Sequence, residues 1–157
     1  MTLAEHIQAV QARIAAAAEK AGRDPSEVTL VAATKVQTSE TIRAAIAAGI
    51  TVCGENRAQE FTQHWQDGAY KGAKVHFIGH LQKNKLKYLV GKVDMIESVD
   101  SEELIRLIDK RAQNLGIVQD ILIEVNIGGE ASKSGVKPEE AEALVALAAS
   151  LSGVEPR

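Results

Sequence analysis

The sequence predicts an α/β fold, with βα units laid around a parallel sheet. Short apolar runs of strand length alternate with segments of helical period along all 157 residues. Each run is followed by a polar loop and then by a helix-like segment. Successive strand–helix pairs imply right-handed crossovers, and hence parallel strands. No linker or low-complexity segment divides the chain, so residues 1–157 are expected to form one domain.

The elements follow in order. Leu3, Ile7, Val10, Ile14, Ala17 and Ala21 share one helical face, and Gly22 ends that helix. Val28 to Thr34 is strand-like and closes on Lys35. Ser39 is the expected cap of a helix from Glu40 to Ala48. Ile50 to Cys53 reads as a short strand and Glu55 to Trp65 as a helix. Lys74 to Gly79 is the third strand, with a helix from Gln82 to Val90 behind it. Asp94 to Val99 is the fourth. Asp100 and Glu103 have capping-box spacing for a helix striped by Leu104, Ile105, Leu107, Ile108, Ala112 and Leu115, with Gly116 as its stop. Val118 to Ile127 is the fifth strand, and Pro138 opens a helix running to Ser150. The sequence stops at Gly153–Arg157, where a sixth strand should begin.

Two architectures fit this pattern: a doubly wound open sheet and a (β/α)8 barrel. A complete barrel needs about 250 residues. About five βα units would leave two open sheet edges and an apolar interior face.

Composition excludes several classes. Hydrophobic residues make up 45% and charged residues 25%, an ordinary globular balance. A net charge of −3, and aromatics at only 3%, argue against a nonspecific nucleic-acid binder or a base-stacking surface. Cys53 is the single cysteine, so no intrachain disulfide forms. Neither a signal-peptide pattern nor an apolar run of membrane-spanning length is present. A cytoplasmic protein with no membrane partner is the expectation.

The loops after the strands carry the candidate chemistry. Lys35 sits at the carboxyl end of the first strand, where α/β proteins build their sites. Partial desolvation there would lower its pKa and free the amine for carbonyl chemistry. The other loops are Cys53-Gly54-Glu55-Asn56-Arg57, Gly79 to Lys85, Ser98 to Ser101, and Asn126 to Gly135. In a βα barrel all would converge on one face. Ser98 to Ser101 reads as helix capping.

Sharper alternatives fail. Lys133 lacks the preceding glycine of a phosphate loop, and no G-x-G-x-x-G follows the first strand. His76 and His80 fall on a strand and its exit, without the acidic residue of H-E-x-x-H, which argues against zinc. Cys53 reads as a small buried hydrophobe. Lys83, Lys85 and Lys87 read as a solvated helix face.

Four segments in order carry a resemblance: Val31-Ala32-Ala33-Thr34-Lys35, Gly54 to Glu60, His76 to Lys85, and Val125 to Gly135. On these the chain resembles the pyridoxal phosphate homeostasis proteins, the YggS/PROSC-like family, along essentially its whole length. The resemblance implies a (β/α)8 barrel of the alanine racemase N-terminal type, here truncated to about five units. It implies pyridoxal 5'-phosphate as cofactor, with Lys35 as the Schiff-base lysine. It also implies Asn56 near the cofactor ring, and His80 and Lys133 at the same mouth. Family members continue with three more βα units carrying a Gly-Leu-Met segment and a late phosphate-holding region; neither is in this sequence.

The function so implied is to bind, buffer or deliver pyridoxal phosphate without turnover, with pyridoxal-phosphate-dependent apoenzymes as recipients. The alternative is an amino-acid racemase or related enzyme. Two-base racemisation needs a second acid/base group, and Tyr70 and Tyr88 lie in or before helices, off the strand ends. A third reading, an interaction module using the basic helix near Lys83, would need no cofactor.

Overall fold

The computed structural model describes residues 1–157. One six-stranded sheet organises it, in the spatial order β1-β2-β3-β4-β5-β6, with every neighbouring pair parallel. The strands are β1 (Val31–Ala33), β2 (Val52–Glu55), β3 (Lys74–Phe77), β4 (Met95–Val99), β5 (Gln119–Ile123) and β6 (Val154–Pro156). The helices are α1 (Leu3–Lys20), α2 (Ser39–Ala47), α3 (Ala58–Gln66), α4 (Leu86–Leu89), α5 (Glu102–Leu115) and α6 (Pro138–Ser150). Strand order equal to chain order is the winding of a βα barrel. A doubly wound sheet instead reverses at a switch point. The fold is therefore a truncated (β/α)8 barrel, whose open edges are β1 and β6.

The core lies between the helices and one face of the sheet. Cys53, Val75, Phe77, Ile96, Val99 and Ile121 supply the sheet side, and Ile42, Phe61, Leu89, Ile105, Ile108 and Ala148 the helical side. The opposite face mixes apolar side chains, among them Val31, Val52 and Met95, with charged ones. There His76 Nδ1 lies 2.6 Å from Glu97 Oε1. Asp120 stands in register with Glu155, and Arg157 Nε donates to Asp120 Oδ2 at 3.1 Å. Two carboxylates side by side on neighbouring strands repel, and the Arg157 guanidinium offsets that repulsion.

Several boundaries move. β6 forms within the last residues, so the chain supplies six strands rather than five. β1 is shorter than the apolar run from Val28, because Pro25–Glu27 form a 3₁₀ turn that delays its pairing. β2 runs on to Glu55, which had been expected to begin a helix; α3 starts three residues later. Residues 82–90 split into a 3₁₀ turn, Lys83–Lys85, and the four-residue α4. The cap of α2 is Thr38, whose side chain accepts from Thr41 N–H; the Ser39 hydroxyl donates instead to Asp67 Oδ2 at 2.7 Å. Ser101 caps α5, accepting from Leu104 N–H, while the Asp100 carboxylate accepts from Gly135 N–H across the next loop. β5 ends at Ile123, and a single bridge, Val125 to Val136, closes the loop behind it.

Candidate functional site

The carboxyl ends of β1, β2 and β3 define the candidate site. Ala33 pairs with Gly54, and Gly54 with His76. Lys35, Asn56 and Ile78 follow these strands, one or two residues past their last paired positions. The floor beneath them is apolar. A Cβ on Gly54 would lie 2.8 Å from Ile78 Cδ1 and 2.9 Å from Val31 Cγ1, so only glycine lets these side chains close over β2. A Cβ on Gly79 would lie 2.1 Å from the Asn56 carbonyl oxygen, which shows how tightly the loops after β2 and β3 pack.

Lys35 stands in the turn between β1 and α2, with its side chain exposed. The desolvation expected for it is not seen. β1 is an edge strand with one paired neighbour, β2. The residue after it, Val36, has φ +56°. A β-branched residue in that region carries strain of about 1–3 kcal/mol. Asn56 is half-buried, and its Oδ1 has no hydrogen-bond partner. His80 is exposed and lines, with Asn56, Arg57, Gln82 and Lys85, a cleft of about 330 Å³. Lys133 is not part of this group. It lies in the loop after β5, four strands across the sheet from Lys35. That loop is built by its own contacts: Asn126 Nδ2 donates to the Glu130 carbonyl at 2.9 Å, and Ser134 Oγ to Glu124 Oε1 at 3.0 Å. Lys133 itself is exposed at its tip.

Behind Lys35 lies a buried polar cluster that sequence reasoning missed. Glu55 is fully buried at the end of β2, on the face turned to the helices. Its Oε1 accepts from Thr34 Oγ1 at 2.6 Å and from the Tyr70 hydroxyl at 2.6 Å, and lies 2.8 Å from His64 Nδ1. Its Oε2 is buried without a partner. His64 Nε2 lies 3.1 Å from the Gln37 carbonyl oxygen. Burial, the hydrogen bond to Glu55 and the Glu55 charge push the Tyr70 hydroxyl well above the ordinary tyrosine range. The one signal in the sequence was the alternation in Val52-Cys53-Gly54-Glu55. It buries Cys53 and Glu55 on the same side if the strand is run to its end. Tyr70 was expected off the strand ends. It sits between α3 and β3, but its hydroxyl reaches β2.

Cys53 is fully buried, and burial with the nearby Glu55 charge pushes its thiol up to about 11. Lys83 pairs with Glu103 at the surface, and Lys85 and Lys87 lie over the Tyr88 ring at 5.9 and 5.0 Å. Ser98 is buried at the end of β4, and its hydroxyl has no partner. No helix is long and apolar enough to cross a membrane.

A sequentially wound parallel βα sheet with a lysine just past its first strand defines a class of barrel whose site lies at the strands' carboxyl ends. Residues 6–157 match the family described as alanine racemase, N-terminal domain, and the chain belongs to it. It is 45% identical over 144 residues to the pyridoxal phosphate homeostasis protein of Aquifex aeolicus, covering 92% of this chain and 63% of that protein. The chain thus spans just under two thirds of that curated relative. Among solved structures it is similar to an unknown protein from Bifidobacterium adolescentis, with TM-score 0.91 and 39% identity over 98% of this chain and 66% of that one. It is also similar to PipY of Synechococcus elongatus PCC7942 solved with PLP bound, with TM-score 0.83 and 28% identity over 99% of this chain and 68% of that one.

Proposed function

We propose that residues 1–157 act as one unit that binds pyridoxal 5'-phosphate at Lys35 and buffers or delivers it, in the cytoplasm, without turnover. The observation that carries this reading is an exposed primary amine just past β1, next to the strand end that carries the unpartnered Asn56 Oδ1 and the apolar packing of Val31 and Ile78 over Gly54. These residues fit a flat aldehyde-bearing ring. The bound cofactor supplies the carbonyl carbon that a lysine amine captures. Lys35 is the attachment point, Asn56 orients the ring, and His80 borders it. Lys133, across the sheet, offers a cation at the rim. The relatives named as pyridoxal phosphate homeostasis proteins, and PipY with PLP bound, support the same reading. Apoenzymes that use this cofactor are the recipients.

The racemase alternative needs a second acid/base group facing the lysine. Tyr70 is buried, holds its proton tightly and is committed to Glu55, which disfavours that role. Incubation with L-alanine in deuterated water is expected to give no exchange above that of free cofactor. Exchange at about 1 per second or faster would establish an enzyme. For the binding itself, borohydride reduction of the coloured protein followed by peptide mapping should label Lys35. Lys35→Ala should abolish that label and keep the circular dichroism spectrum. Label on Lys83 or Lys133 alone would sink the assignment.

A further inference from the structure

We infer that Glu55, acting through Thr34 and His64, is the positioning residue for Lys35: one buried carboxylate oxygen clamps the β1–α2 turn on both sides of the lysine. The inference rests on the reading of Lys35 as the cofactor lysine.

The turn needs an external hold. Its own closure is one long hydrogen bond, Gln37 N–H to the Thr34 carbonyl at 3.2 Å. Lys35, Val36 and Gln37 are all exposed, and β1 is held from one side only. Val36 at φ +56° adds strain, and a strained residue persists only where its surroundings over-determine it. Glu55 supplies that determination. Thr34, one residue before the lysine, donates its hydroxyl to Oε1. Gln37, two residues after it, presents its carbonyl to His64 Nε2, and His64 Nδ1 faces the same Oε1. Tyr70 holds the carboxylate from a third direction.

Gln37's carbonyl can only accept, so His64 Nε2 is the donor in that contact. Apolar residues could not hold a backbone carbonyl two positions past the lysine.

The test compares wild type with Thr34→Val, Thr34→Ser and His64→Leu, after circular dichroism has checked each fold. The first readout is amide hydrogen exchange over residues 35–38 in cofactor-free protein. The second is the rate of borohydride-fixed pyridoxal phosphate attachment at Lys35. Thr34→Val and His64→Leu should each speed exchange in the turn about tenfold, the worth of one good hydrogen bond, leave β3 to β5 unchanged, and slow attachment similarly. Thr34→Ser, which keeps the hydroxyl, should match wild type in both. If Thr34→Val exchanges like wild type, the clamp does not order the turn and the inference is wrong. Faster exchange with unchanged attachment overturns the positioning role. A wild type that takes no label at Lys35, yet shows the exchange differences, retires the cofactor reading and leaves the clamp on the turn established. Should His64→Leu not fold, the two Thr34 variants decide alone.

Discussion

Gly79 and Cys53 show what single residues contribute here. Gly79 has an ordinary φ, so its need for glycine is purely one of space: the Asn56 carbonyl occupies the position of a Cβ. Because the obstacle is backbone, Gly79→Ala is expected to cost about 3 kcal/mol or more, read as a lowered denaturant midpoint. Gly22→Ala is no control for it, since Gly22 has space but a φ of +67°. At Cys53 the effect is on protonation. The folded thiol titrates at about 11 against an ordinary 9.0. Between those values the folded chain keeps a proton that the unfolded chain has lost, so the contribution is whole below pH 9 and fades as the pH rises through 11. Stability should therefore fall across that window, and Cys53→Ala should flatten the fall. In native protein at pH 8 an aromatic disulfide reagent should leave the thiol unmodified until denaturant is added. The burial of Cys53 was legible in the sequence. The partners of Glu55 were not: His64 and Tyr70 stand 9 and 15 residues away in the chain and meet it only through the packing of α3.

At the scale of elements, periodicity located the six helices and the first five strands, while the ends were decided by hydrogen bonds that no pattern displays. α5 illustrates both. Of its expected stripe, Leu104, Ile105, Ile108 and Ala112 are buried while Leu107 and Leu115 are exposed, and Gly116 ends it at φ +68°. Its cap is Ser101 rather than Asp100, because Asp100 is drawn to the Gly135 N–H in the loop after β5. Ser101→Ala should cost about 1 kcal/mol in thermal unfolding. Asp100→Ala should instead loosen residues 126–136, read as faster proteolysis in that loop with little change in helix content. β2 shows the same limit. Gly54 and the Asn-Arg that follows suggest a turn, yet the parallel pairing of Glu55 with Phe77 carries the strand through to Glu55.

Over residues 1–157 the sheet has two unpaired edges, β1 and β6, and one face sealed by helices. The other face mixes Val31, Val52 and Met95 with the pairs His76–Glu97 and Asp120–Arg157. Exposed parallel edges pair readily with other chains. The 157-residue chain is expected to self-associate in sedimentation velocity, more strongly as concentration rises, and to bind pyridoxal phosphate weakly. A stable monomer with micromolar affinity, about −8 kcal/mol, would show that this face and these edges are sufficient alone. Of this scale the sequence revealed the winding, because βα alternation dictates it. It concealed the charge pairing on the inner face, because a polar residue in a strand reads alike whether it meets solvent or another charge.

Strand β1 is both a free edge and the carrier of Lys35. Whatever comes to lie along that edge also changes the water and the charges around the lysine amine, a few ångströms further on. The reactivity of one amino group thereby becomes a gauge of what borders the sheet. A strand docking on β1 would dry the amine and alter the colour of an attached cofactor, so the molecule would announce the pairing of its own edge in its visible spectrum.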